Sequence, residues 1–172
     1  MPFSDILTII PASGKGKRFG QPKHKALLNG KTFTDCIINT LKEAEINNIY
    51  LAKDFNTKDM LSTLRCALKQ LNLHRFSGFL IFPIDHPFVQ SSTINALCST
   101  FHQFPEMVIR PSCNGKTGHP VLIPSSLDLF IDDNEEGLAS IIRIQAKGII
   151  DLPVEDKGIL LNINRPENLL WT

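Results

Sequence analysis

The chain has 172 residues, 42% of them hydrophobic, and a formal net charge of +1. That is enough apolar material for a buried core, and too little charge for a protein that binds nucleic acid or a membrane surface by bulk electrostatics. Its four cysteines, Cys36, Cys66, Cys98 and Cys113, form no CxxC pair, which speaks against a zinc site or a disulfide scaffold and fits a reduced cytosol. In chain order, MPFSDILTIIP lacks the basic start and long apolar run of a signal peptide, and no run approaches the ~18 apolar residues of a membrane span. Residues 5–11 read as a short buried strand entering a glycine-rich loop. Residues 34–46 carry Ile37, Ile38, Leu41 and Ala44 at helical spacing, with Thr34 as N-cap. A strand is expected at 48–53. A helix follows at 57–71, with Met60, Leu61, Leu64, Ala67, Leu68 and Leu71 on one face. GFLIFPID (78–85) is a near-continuous apolar run ending in a charge, as in a central strand covered on both faces. Further helices are expected at 91–103 and 137–147, and strands at 107–111, 119–124, 148–153 and 158–163. Strands alternating with helices predict one α/β domain over 1–172 with a mostly parallel sheet.

The loop after the first strand is IIPASGKGKRFGQPKHKALLNGKTF. Glycine backbone N–H groups can face an anion, and polyphosphate is the obvious one. Spacing excludes two cradles: Phe19 and Gln21 stand where a P-loop needs its second glycine, and Gly14, Gly16 and Gly20 give GxGxxxG, one residue too long for a dinucleotide fingerprint. Lys15, Lys17, Arg18 and Lys23 supply cations, Arg18 with a bidentate fork. A solvated surface loop is the plain alternative. Asp85 ends the central strand, where ligands of open α/β sheets bind; a carboxylate there suits Mg²⁺ bridging substrate phosphates, and a helix cap or turn is the other reading.

Together these segments resemble the MobA-like nucleotidyltransferases, which include the molybdenum cofactor guanylyl- and cytidylyltransferases. The family signature LAAGxGxRMGxPK corresponds to IPASGKGKRFGQPK, with Gly14, Gly16, Arg18, Gly20, Pro22 and Lys23 in place. The family's DxP corresponds to Asp85-His86-Pro87, its G-H-P to Gly118-His119-Pro120, and its C-terminal DIDTPED to NINRPEN (162–168). Three departures stand out. Ala12-Ser13-Gly14 replaces the usual AAG or AGG, leaving CTP and GTP both open. KDMLSTLRCAL (58–68) follows the second strand almost at once where relatives reach a GMLSSLRAAL-like segment later, so about one βα unit is missing. Asn162, Asn164 and Asn168 stand where relatives carry acidic groups.

The resemblance implies a three-layer α/β/α, Rossmann-like fold of the nucleotide-diphospho-sugar transferase type. It implies transfer of a nucleoside monophosphate from an NTP to a phosphorylated small-molecule acceptor, with pyrophosphate released and Mg²⁺ as cofactor. Arg18 and Lys23 would handle the triphosphate. Ala12, Ser13, Gly14 and Gly16 would hold the nucleotide, and Ser62 and Arg65 would lie near base and ribose. Asp85, assisted by Asn162 or Asn164, would hold Mg²⁺, and His119 would shape the acceptor side. Pterin, sugar phosphate and alditol phosphate acceptors stay open. The expectation is a cytoplasmic monomer or homodimer with no nucleic-acid or membrane partner. The missing unit and the amides favour a rival, an inactive nucleotide-binding relative acting as sensor or partner subunit. A dinucleotide oxidoreductase is disfavoured by the loop spacing.

Overall fold

The structure, a computed structural model, describes residues 2–13, 27–28, 30–131 and 137–163. Strand β1 (Ile6–Pro11) is buried along its whole length, as an unalternating apolar run must be when both sheet faces are covered. It pairs in parallel with β4 (Ile49–Ala52) on one side and β5 (Gly78–Ile81) on the other. β5 pairs antiparallel with β8 (Val121–Pro124), β8 antiparallel with β6 (Val108–Cys113), and β6 in parallel with β9 (Ile149–Pro153). With β7 (Lys116–Thr117) as the return arm of a hairpin on β6, these form one seven-stranded sheet. β4, β1, β5, β6 and β9 therefore run one way, so the sheet is mostly parallel, as expected. β2 (Leu27–Leu28) and β3 (Lys31–Thr32) make a separate small ribbon.

Helices α1 (Phe33–Glu43) and α3 (Ser91–Gln103) cover one face, burying Ile37, Leu41, Ile94, Leu97 and Phe101 against Ile6, Ile10 and Leu80. Helices α2 (Met60–Leu68) and α4 (Leu138–Gln145) cover the other, with Leu61, Leu64, Ile141 and Ile142 against Leu7, Ile9 and Phe79. Alternate residues of β1 thus feed two separate cores, which is the period-two geometry of a strand inside a three-layer fold. β4 is the edge of the sheet, and residues 53–59 lead from it into α2 with no strand between them.

Three expectations need correction. Asp85 does not end the central strand: β5 stops at Ile81, Pro83 has no N–H to continue the ladder, and Asp85 stands in the turn that follows, where the His86 N–H donates to the Pro83 carbonyl at 3.2 Å. The N-cap of α1 is Thr32, not Thr34. Thr32 Oγ1 accepts the Asp35 N–H at 3.0 Å, and Asp35 Oδ2 accepts the Thr32 N–H at 3.2 Å, a reciprocal capping box; Thr34 is buried. Residues 158–163 do not form a strand: Lys157–Leu160 is a 3-10 turn. The buried Asp156 carboxylate turns the chain there, accepting from the Gly158 N–H at 2.8 Å and, across the fold, from the Gln90 N–H and Thr93 Oγ1, each at 2.8 Å. α3 has no cap from its own N-cap side chain, so Asp156 supplies one from sixty-odd residues away while fixing the C-terminal segment.

Candidate active site

The ends of β1 and β5 and the start of α2 enclose a cavity of about 240 Å³ lined by Ala12, Ser13, Asp59, Thr63 and Asp85, among others. It lies outside the carboxyl ends of the parallel strands, the place where open α/β sheets bind ligands. Gly14, Gly16, Arg18 and Lys23 lie outside the described residues. Ser13 Oγ donates to the Ala52 carbonyl at 3.1 Å and accepts the Phe55 N–H at 3.3 Å. Its hydroxyl therefore ties the end of β1 to the β4–α2 connection.

Asp85 is largely sheltered, its side chain 18% exposed, and His86 Nδ1 lies 3.0 Å from its Oδ1. A carboxylate only accepts, so the His86 Nδ1–H points at Asp85 and sets the tautomer. The Asp85 carbonyl accepts the Ile163 N–H at 2.8 Å. That bond holds Ile163 beside the turn that carries Asp85; Asn162, the residue before it, is exposed, and Asn164 lies outside the described residues. The segment that carries one predicted partner thus lies beside Asp85, although it is not a strand. Among the described residues no three His, Cys, Asp or Glu side chains are grouped to hold a metal. A single sheltered carboxylate fits Mg²⁺, which keeps several waters and is bound through one or two carboxylates together with substrate phosphates, better than a metal that needs a full protein cage.

His119 reaches this region by a hairpin the sequence analysis did not name. Asn114 (φ 52°) and Gly115 (φ 75°) make the two-residue turn between β6 and β7, and the Asn-Gly pair is its sequence signal. Gly118 then packs on the Ile159 carbonyl so closely that a Cβ has no room, and the His119 N–H donates to the same carbonyl at 3.0 Å. The His119–Pro120 peptide bond is cis. The His119 and His86 rings stand 4.8 Å apart. Burial, reinforced by His86, pushes the His119 imidazole down to about 4, so at neutral pH the ring is uncharged and no phosphate can rely on it as a cation. Its Nδ1 is enclosed without a hydrogen-bond partner.

A larger cavity of about 950 Å³ shares Asp59 and Met60 with the first and runs past Gly118 and His119. Asp59, which the sequence analysis did not single out, caps α2: its Oδ1 accepts the Ser62 N–H at 2.7 Å, and that bond holds its carboxyl below the usual range. Ser62 is half-buried behind that cap. Arg65 Nε and Nη2 donate to the Leu129 and Ile131 carbonyls, each at 2.6 Å, so its fork is engaged with the 129–131 segment.

A family model, the MobA-like NTP transferase domain, matches residues 50–148. The chain belongs to that family. The MobA-like chain matches solved structures over nearly its whole length. One is Rv0371c from Mycobacterium tuberculosis H37Rv (TM-score 0.75, 18% identity, all of both chains), of which a manganese complex is also solved. Another is a nucleotidyl transferase from Methanothermobacter thermautotrophicus (TM-score 0.73, 15% identity, 98% of this chain and 95% of that one). A third is 2-C-methyl-D-erythritol 4-phosphate cytidylyltransferase from Thermus thermophilus (TM-score 0.70, 11% identity, 97% and 96%). At these identities the likeness is one of fold, and it is the nucleotide-diphospho-sugar transferase type. A comparison with curated proteins gives no match. No helix among the described residues is long and apolar enough to cross a membrane.

Proposed function

We propose that residues 1–172 form one Mg²⁺-dependent nucleotidyltransferase domain. It moves a nucleoside monophosphate from an NTP, CTP or GTP by preference, to a phosphorylated small-molecule acceptor, of which molybdopterin is one candidate, and releases pyrophosphate. Family membership supports nucleotidyltransferase-type activity in general. The observation that carries the reading for this chain is the convergence at Asp85: a sheltered carboxylate in the turn after β5, hydrogen-bonded to His86, lining a cavity with Ala12 and Ser13, with Ile163, next to Asn162, bonded to its backbone.

The chemistry to be helped is attack of an acceptor phosphate oxygen on the α-phosphorus, forming a P–O bond as the bond to pyrophosphate breaks. Both reactants are anions, so positioning and positive charge do most of the work. Mg²⁺ would supply charge neutralisation at the phosphates. Asp85 would hold it, with Asn162 and Asn164 as weaker oxygen donors. Arg18 and Lys23 would meet the triphosphate, and Gly14 and Gly16 would offer backbone N–H groups. Ala12 and Ser13 would border the nucleotide, with Ser62 and Arg65 behind it. Neutral His119 would border the acceptor. A cytoplasmic monomer or homodimer needs no further partner for this.

The test is pyrophosphate release from each of four NTPs against Mg²⁺ concentration, with Mn²⁺ binding read by electron paramagnetic resonance. Asp85→Asn should abolish metal-dependent release and weaken Mn²⁺ binding, and Lys23→Ala should slow release on the order of 100-fold. Unchanged metal dependence in Asp85→Asn defeats the assignment. If the parent binds nucleotide and releases no pyrophosphate with any acceptor, the inactive relative suggested by the Asn-for-Asp positions takes its place.

A further inference from the structure

The larger cavity has a chemistry of its own. We propose that it takes the acceptor, and that this acceptor carries a predominantly apolar body, an aryl or alkyl phosphate rather than a polyol phosphate; the proposal rests on the transferase reading above. Its volume of about 950 Å³ is that of a small-molecule site. The wall it shares with the first cavity, at Asp59 and Met60, joins it to the place where Asp85 stands.

Topology gives its direction. Ile149 opens β9, which is parallel to β6 and therefore to β1, so Ile149 lies at the end of the sheet away from Asp85. Thr117 and His119 lie at the near end. With a strand rise of about 3.3 Å per residue, the length of β9 alone gives a groove on the order of 13 Å deep. Along it stand Val121, Leu138, Ile142 and Ile149, none with a hydrogen-bonding side chain. Midway, Arg110 is held in a two-bond pair by Asp151, Nε to Oδ1 at 2.8 Å and Nη2 to Oδ2 at 3.1 Å. That pair is neutral as a unit. The polar side chains of the lining are Asp59, Thr117 and His119 at the near end, Arg110 in its pair with Asp151, and Arg143, which is exposed. A polyol would set hydroxyls against the apolar stretch formed by Val121, Leu138, Ile142 and Ile149, where no side chain partners them, and each buried hydroxyl left so is strongly disfavoured. A flat or linear apolar body loses nothing there and gains from desolvation. Its phosphate then lies at the Asp59–His119 end, nearest the nucleotide.

The experiment is calorimetric titration of the full chain with 1-naphthyl phosphate, geranyl phosphate, ribose 5-phosphate and inorganic phosphate. The apolar phosphates should bind one per chain and at least tenfold tighter than ribose 5-phosphate. Ile149→Asn, at a position 40% exposed and so tolerant of change, should weaken them about fivefold while leaving inorganic phosphate unaffected. Equal or tighter binding of ribose 5-phosphate overturns the proposal, as does an Ile149→Asn chain that binds naphthyl phosphate like the parent. Pyrophosphate release separates this from the parent reading. Release with ribose 5-phosphate and none with apolar phosphates overturns the acceptor class and keeps the transferase. Tight binding of apolar phosphates with no release from any NTP keeps the class of ligand and overturns the transferase.

Discussion

Replacing Asp156 with alanine tests how the C-terminal segment is held against the site. The carboxylate is buried, 3% exposed, and accepts from the Gln90 N–H, Thr93 Oγ1 and the Gly158 N–H, each at 2.8 Å. Alanine leaves all three donors enclosed. The Gln90 N–H opens α3, where no other side chain caps the helix, and Gly158 packs against the Phe88 carbonyl where water has no room. At about 1–1.5 kcal/mol for each bond lost, the expected destabilisation is about 3–5 kcal/mol, a large part of the 5–15 kcal/mol typical of a domain. Asp156→Asn keeps one acceptor oxygen and should cost roughly half as much. The assay is urea unfolding, with hydrogen exchange at Ile163 as second readout. The Ile163 N–H bond to the Asp85 carbonyl should exchange faster in Asp156→Asn while β1 and β5 stay protected. A loss below about 1 kcal/mol in Asp156→Ala, or an Ile163 amide as protected as the parent's, refutes the argument.

His119 predicts a pH dependence. Its folded value of about 4 lies below its ordinary 6.5, so between these the unfolded chain binds the proton the folded one refuses. Stability is full above about pH 6.5 and falls as pH drops towards 4, by roughly 3 kcal/mol at most; His119→Asn should flatten urea midpoints over that window, and an unchanged slope counts against it. Arg65→Lys cannot bridge the Leu129 and Ile131 carbonyls and should lower stability by about 1–2 kcal/mol, with nucleotide affinity changed less than about twofold. A tenfold loss of affinity at parental stability would return Arg65 to the nucleotide. Gly118→Ala drives a Cβ into the Ile159 carbonyl and should cost about 1–3 kcal/mol by thermal melt; a neutral substitution there would mean the turn at 157–160 is free to shift.

Periodicity carried the elements whose stability is local or whose burial is uniform. β1 and β5 read as strands because both faces are covered, and α2 and α4 read as helices because one face is apolar. The reading slipped where a distant group decides. GILLNI has the composition of a strand, yet Asp156 and its partners on α3 turn the chain before it can extend. The antiparallel course of β8 between two parallel strands has no local signature, since β pattern alone is blind to direction. At the site, the apolar run before Asp85 and the resemblance at Gly118-His119-Pro120 singled out two residues that the structure brings together through His86, but Ser13 and Arg65 were legible only as residue types, and the structure shows their polar atoms bonded to backbone. Asp59 could have been read: an aspartate directly before MLSTL is an N-cap signal. Its position is informative because its carboxylate stands on the wall common to both cavities. With one oxygen held by the Ser62 N–H and its charge retained, it would add negative charge where the proposed reaction brings two anions together. On the proposed reaction that charge would have to be met by metal, by the cations of the first loop or by a donor on the nucleoside, which is why a test of metal dependence would say more about the chemistry of this chain than the fold it shares.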